Sequence, residues 1–126
     1  MTTDRERLSL LERMVDGFNA HDLDAILENF DETCVFESPR GPDPWGRRFV
    51  GKDEVRSGLG ARFTSIPDVH YRSEGDFVAD DRGVSEWTLT GTTVDGERIE
   101  VRGCDLWTFG RDRIVRKDSF WKIVER

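Results

Sequence analysis

From Val69 to its end the chain reads as β-structure interrupted only by turn signals. Strands are predicted at about 69–79, 83–92, 97–109 and 113–125. Between them lie Asp80-Asp81-Arg82-Gly83, Asp95-Gly96 and Gly110-Arg111-Asp112-Arg113, which suit hairpin turns. Consecutive strands joined this tightly give an antiparallel sheet, and one of its faces needs a cover. The first half of the chain supplies helices for it. Thr3 and Glu6 form a T-x-x-E capping box, and Leu8, Leu11, Val15 and Phe18 then recur at helical spacing with Met14 beside them. Asp22 is placed to cap a second helix bearing Leu23, Ile26, Leu27 and Phe30. A short strand follows at Thr33–Ser38, then a loop from Pro39 to Val50 around an isolated Trp45. A third helix opens near Gly51, with Asp53 as its expected cap and Val55, Leu59 and Phe63 along one side. The pattern predicts one α+β domain over residues 1–126, with three helices packed on a strongly curved, mainly antiparallel sheet.

Composition narrows the functional classes. No apolar run approaches the roughly 20 residues of a membrane-spanning helix, and the N-terminus lacks a signal-peptide apolar core, so a cytoplasmic location is expected. A net charge of -7 without a basic cluster argues against nucleic acid or an anionic membrane as partner. Cys34 and Cys104 are too far apart in sequence for a metal-ligand motif and are read as reduced, buried thiols. With His21 and His70 as the only histidines and no HExxH, no metal site is expected.

Chemistry concentrates in the last hairpin. Its turn sets a register in which Phe109 faces Ile114, Trp107 faces Arg116 and Asp105 faces Asp118. The two aspartates then share a face with Ile99, Val101, Gly103, Trp107, Phe109, Ile114 and Phe120, while Lys117 and Ser119 point to the solvated side. Two carboxylates in an apolar setting are costly unless paired, protonated or used.

Several stretches resemble the NTF2-like superfamily, in particular its ketosteroid isomerase and SnoaL-like cyclase branches. They are Arg13-Met14-Val15, Phe18-Asn19-Ala20-His21-Asp22-Leu23-Asp24-Ala25-Ile26, Val35-Phe36-Glu37-Ser38-Pro39, the segment from Gly46 to Val55, Pro67-Asp68, and the ending Phe109 to Trp121. The resemblance implies a cone in which helices and sheet enclose a cavity, and commonly a homodimer through the outer sheet face; here Leu106, Val115, Trp121 and Ile123 would form that surface. It also implies site residues. Where ketosteroid isomerases keep an oxyanion-donating tyrosine this chain has Met14, and where they keep the aspartate base it has Ser38. Their second oxyanion donor matches Asp105. Asp118 resembles the acid/base aspartate of SnoaL-like cyclases and limonene epoxide hydrolases, but the arginine that precedes the first hydrolase aspartate by two residues is Gly103 here.

These residues lead to three expectations. In the first, Asp105 and Asp118 form a coupled pair that moves a proton beside the carbonyl of a small, mostly apolar compound, without metal or organic cofactor. Met14, Phe18, Trp45, Trp87, Trp107 and Phe120 would be the substrate walls, with Trp45 as lid or plug. In the second, Arg116 sits between the aspartates in a structural cluster, and the protein binds a ligand or serves as a dimeric scaffold without turnover. In the third, Asp105, Arg116 and Asp118 hydrolyse an epoxide. His70 and Tyr71 alternate on one strand, so at most one reaches the cavity, and Glu86 is a further candidate carboxylate beside Trp87.

Overall fold

The computed structural model describes residues 3–125. Helix α1 (Asp4–Asn19) begins at the expected capping box: Thr3 Oγ1 accepts from the Glu6 amide and Glu6 Oε1 from the Thr3 amide, each at 3.1 Å. Helix α2 (Leu23–Leu27) is capped by Asp22, whose carboxylate accepts from the Ala25 amide at 3.1 Å. Helix α3 (Lys52–Ser65) differs from expectation, since its N-cap is Gly51 and no side chain caps it. Gly51 has φ of 86°, a conformation natural to glycine and strained for aspartate.

Six strands make one sheet in the order β2-β1-β6-β5-β4-β3. They are β1 (Phe30–Glu37), β2 (Arg48–Val50), β3 (His70–Ala79), β4 (Arg82–Thr92), β5 (Arg98–Phe109) and β6 (Ile114–Trp121). Every neighbouring pair is antiparallel except β1 with β6. β2 lies within the segment expected to be loop, and β6 stops at Trp121 instead of running to residue 125. Leu11, Met14 and Phe18 of α1, Ile26 of α2 and Val55 and Leu59 of α3 pack with Phe30, Phe36, Trp107, Phe109 and Ile114 of the sheet. A second cluster of Ile66, Val69, Trp87, Leu89 and Val101 fills the other end.

Asn19 fastens α1 to the sheet edge. Its amide nitrogen donates to the Tyr71 carbonyl at 2.9 Å and its oxygen accepts from the Tyr71 amide at 2.8 Å, so a side chain replaces the missing neighbour strand of β3.

One feature of β6 overturns the expected register. Phe109 pairs with Ile114 as predicted, but Thr108 then pairs with Arg116, which leaves Val115 as an extra residue. Beyond this β-bulge, Trp107 opposes Lys117, Leu106 opposes Asp118 and Asp105 opposes Ser119. A one-residue slip turns every later side chain to the other face. Lys117 and Ser119 are therefore buried on the helix-covered face, whereas Phe120 is half exposed on the outer one. Trp121 turns inward as well, in edge contact with Trp87 at 6.4 Å between ring centroids, and does not belong to the outer face.

Replacing Asn19 with alanine orphans the Tyr71 amide and carbonyl at a half-buried edge. Urea unfolding should show a loss of about 1–3 kcal/mol.

Candidate functional site

Where the expected aspartate pair would have met, the inner face instead holds a lysine–aspartate pair. Lys117 Nζ donates to Asp105 Oδ1 at 2.9 Å and to Ser119 Oγ at 2.6 Å, and Ser119 Oγ donates to Asp105 Oδ1 at 2.5 Å. Trp87 Nε1 donates to Asp105 Oδ2 at 2.9 Å. Both charged side chains are only 7% exposed. The ammonium also lies over the rings of Phe36, Phe18 and Trp107, at 4.8, 5.3 and 5.6 Å from their centroids. Burial pulls the Lys117 ammonium below its ordinary range, with the charge and hydrogen bond of Asp105 opposing that shift. An ammonium has three N–H donors, and two are occupied by Asp105 and Ser119.

Above this pair is a cavity of about 30 Å³, room for little more than a water molecule. Met14, Phe18, Trp87 and Trp107, all expected as walls, line it together with Asp105, Lys117 and Tyr71. Trp107 is oriented by its Nε1, which donates to Ser85 Oγ at 2.9 Å. Burial pushes the Tyr71 phenol well above its ordinary range, so it stays protonated as a donor. As the strand alternation required, Tyr71 reaches the cavity and His70 is exposed. Glu86 is an exposed residue at the cavity's edge.

A wall of aromatic rings and one guanidinium divides this cavity from a much larger open groove of about 700 Å³. Tyr71 and Trp87 meet edge to face at 5.1 Å, Trp87 meets Trp121, and Arg62 of α3 stacks on Trp121 at 4.2 Å. The Arg62 guanidinium also faces the Tyr71 hydroxyl. Arg62 and Trp121 line the groove, as does Ser38 at the end of β1. Ser38 Oγ is committed to its own loop, donating to the Arg40 carbonyl at 2.8 Å and accepting from the Arg47 amide at 3.3 Å.

The remaining expected site residues lie elsewhere. Arg116 and Asp118 are on the outer face, 3.4 Å apart, and Arg116 donates to Glu37 Oε1. Arg48 donates to Glu37 Oε2 through Nε at 2.8 Å and Nη2 at 2.7 Å. Glu37 thus has two arginines on a carboxylate that is only 1% exposed. Burial opposes ionisation of Glu37, but the hydrogen bonds and charges of Arg116 and Arg48 outweigh it and hold the carboxyl low. Burial raises the Asp118 carboxyl, with Arg116 opposing and Glu37 adding to the rise. Asp105 and Asp118 share no cavity, and the Asp105–Arg116–Asp118 triad required for the epoxide reading does not form. Nor could an arginine replace Gly103, because a Cβ there would lie 2.4 Å from the Phe120 carbonyl oxygen and 2.5 Å from the Trp87 ring. Trp45 stacks under Arg48 at 4.5 Å and lines neither the cavity nor the groove. Phe120, on the outer face, is likewise absent from both. Cys34 and Cys104 are free thiols; Cys34 is buried as expected, whereas Cys104 is only half-buried. Among the described residues no three His, Cys, Asp or Glu side chains converge as metal ligands, and no helix is long and apolar enough to cross a membrane.

The sequence placed Asp105 on the covered face, as it is, but put Lys117 and Ser119 on the opposite one and gave Arg62 no place at the cavity or groove. Lys117 and Ser119 were assigned to the wrong face because a bulge in β6 leaves no pattern of its own.

The pair makes two stability predictions. Asp105→Asn leaves a buried ammonium without its anion and should cost about 3 kcal/mol, and adding Lys117→Met should restore part of that in urea titrations. The lysine's folded pKa is depressed, so between that value and about 10.4 the unfolded chain binds more protons and stability rises with pH. The stability difference between wild type and Lys117→Met should accordingly move in favour of wild type as pH rises toward 10.

The comparisons with known proteins agree with this fold. The family model of the SnoaL-like domain matches residues 11–117. No curated protein matches. Among solved structures, an NTF2-like protein of unknown function from Mesorhizobium loti is 29% identical, with a TM-score of 0.80 over 98% of this chain and 96% of that one. A candidate polyketide cyclase from Xanthomonas campestris pv. campestris is 18% identical, with a TM-score of 0.84 over 96% and 93% of the two chains. A candidate isomerase from Bacillus subtilis is 19% identical, with a TM-score of 0.81 over 97% and 90%. With a family match spanning most of its length and an overall fold shared with these neighbours, the chain belongs to the SnoaL-like branch of the NTF2-like superfamily.

Proposed function

We propose that the protein is an acid/base enzyme of the isomerase or cyclase type, acting on a small, mostly apolar carbonyl compound held in the cone. The observation that carries this reading is the buried Lys117–Asp105 pair at an apolar cavity wall. Desolvated charges are expensive, and a fold of this kind could fill the same space with hydrocarbon at no loss of stability. A site that must stabilise developing negative charge has a use for them.

Each group has a role consistent with its donors and acceptors. Asp105 Oδ2 accepts one hydrogen bond, from Trp87, and keeps a lone pair that can take a proton from the carbon next to the substrate carbonyl. As that proton moves to the carboxylate, negative charge moves to the carbonyl oxygen. The third N–H of Lys117 and the hydroxyl of Tyr71 are donors available to that oxygen. Return of the proton to another carbon gives an isomer; attack of the enolate on a second carbonyl gives a ring. Trp87 and Ser119 hold the carboxylate in place, and the low polarity of Phe18 and Trp107 strengthens each interaction.

A ring compound needs several hundred Å³, which the narrow cavity, edged by the exposed Ser73 and Glu86, does not offer. In this reading the ligand enters from the groove, as the wall of Arg62, Trp87 and Trp121 moves and joins it to the cavity. The same tightness favours a second reading, a protein that binds its ligand in the groove and turns nothing over. A homodimer through the outer sheet face, where Phe120 is exposed, is part of either proposal.

Deuterium exchange separates the readings without knowledge of the natural substrate. A flat apolar ketone such as 2-tetralone, followed by NMR in D2O, should exchange its α-protons faster with wild type than in buffer. Asp105→Asn and Lys117→Met should each lower the enzymatic rate by about 100-fold, while Asp118→Asn leaves it unchanged. Exchange no faster than in buffer, or undiminished in Asp105→Asn, would overturn the acid/base proposal.

A further inference from the structure

The open groove contains a charge that the proposed chemistry does not use. Arg62 is half buried and lies between the groove and the Tyr71 hydroxyl, with its guanidinium stacked on Trp121 at 4.2 Å. Among the described residues no carboxylate lies within 4 Å of it. Asp105 is close enough to interact with it, but that carboxylate already accepts from Lys117, Ser119 and Trp87. Arg40, on the loop across the groove, is near enough to disfavour the charge on Arg62 further.

Arg62 and Arg40 are therefore the charges of the inner groove, with the mutually paired Lys117 and Asp105 behind the aromatic wall. The outer rim is mixed, with Arg47 and Lys122 against Asp43, Glu97 and Glu100. Such a local surplus is notable in a chain of net charge -7, where carboxylates are the commoner charged groups. Four other arginines do pair with carboxylates: Arg48 and Arg116 share Glu37, Arg56 meets Asp24 and Arg72 meets Glu74. A partly desolvated guanidinium with no carboxylate in direct contact is an unfavourable arrangement. Its planar fork suits a carboxylate or enolate, and the ring it lies on is a platform for an aromatic ligand.

We infer that the groove binds a flat aromatic anion, a carboxylate or an acidic phenol or enol, whose charge is held by Arg62 with Arg40 behind it and whose ring packs beside Trp121. The groove's volume of about 700 Å³ is in the range of small-molecule sites. This inference rests on the reading that the cone takes a small molecule, and it refines the ligand's class: apolar at the end that enters the cavity toward Lys117, anionic at the end that stays in the groove. It does not depend on turnover.

Calorimetry with 2-naphthoate and its uncharged isostere 2-naphthamide tests it. The acid should bind wild type at least about tenfold more tightly than the amide. Arg62→Met should abolish that preference while leaving amide binding near its wild-type level, and Arg62→Lys should keep part of it, as a point charge without the fork. Circular dichroism establishes that each variant is folded; if neither is, the comparison of acid with amide on wild type still decides. Equal affinity for acid and amide, a preference that survives in folded Arg62→Met, or no saturable binding of either compound would each overturn the inference. Because binding is read without turnover, this result is independent of the deuterium-exchange result.

Discussion

The hydrogen-bonded pair of Lys117 and Asp105 is the interaction on which the interior of this protein depends. Two ions on the covered face of a sheet, ringed by Phe18, Phe36 and Trp107, are tolerable only if their polar atoms are satisfied. Ser119 and Trp87 complete that requirement, and no buried side-chain nitrogen or oxygen among the described residues is without a partner. The pair therefore fixes more than two side chains. It holds Trp87 at a set angle, Trp87 in turn abuts Tyr71 and Trp121, and Trp121 carries the guanidinium of Arg62. The wall between cavity and groove is an extension of the same hydrogen-bonded network.

All of this follows from one extra residue. Val115 lets β6 leave the turn in the register expected for a plain hairpin and then change faces. Without the bulge, Arg116 and Asp118 would be the buried pair and Lys117 and Ser119 would be outside. With it, the basic and acidic residues of β6 are sorted by face. Arg116 and Asp118 join Glu37 and Arg48 in a cluster that ties β1, β2 and β6 together on the outer face, while Lys117 goes to the cone. The two sets sit on successive residues of one strand and differ in their surroundings: the outer one forms an ion cluster with Glu37 and Arg48, and the inner one lines a cavity.

This sorting explains what the sequence could and could not disclose. The helices, their caps at Thr3 and Asp22, the antiparallel run after Val69 and the inward face of β5 were all legible, because hydrophobic period and turn chemistry are local. Asp105, Met14, Phe18, Trp87 and Trp107 were identified correctly as cavity residues for the same reason. Lys117 was not, because its position depends on how β6 aligns with a partner strand, and the stretch Val115-Arg116-Lys117-Asp118-Ser119 alternates equally well in either register. The one available signal was energetic. The plain register placed two aspartates opposite each other on an apolar face, whereas a one-residue shift placed a lysine and a serine there instead, a far better match for Asp105. Arg62 was hidden for a different reason, as it is one of several charged residues on α3 and only the tertiary packing on Trp121 distinguishes it.

The contrast between a tight cavity and a wide groove bears on how such a cone can work. A cavity of about 30 Å³ admits little more than one water molecule beside Lys117 and Asp105, which limits screening of their interaction, yet excludes any substrate of useful size. The groove has the space but lies outside the aromatic wall. On the proposed reading, a ligand that neutralises Arg62 would weaken that residue's attraction to Tyr71 and Asp105 and free it to leave Trp121, so the charge that binds the ligand would also be the one that holds the wall in place. Binding energy from the anionic end would then be spent on opening the apolar end, and the buried pair would meet a carbonyl only when a compound carrying both features had arrived. On the proposed reading the selectivity of the site would lie in Arg62 and its chemistry in Lys117 and Asp105, on separate elements, α3 and the last hairpin, that are joined by the contacts of Tyr71, Trp87 and Trp121.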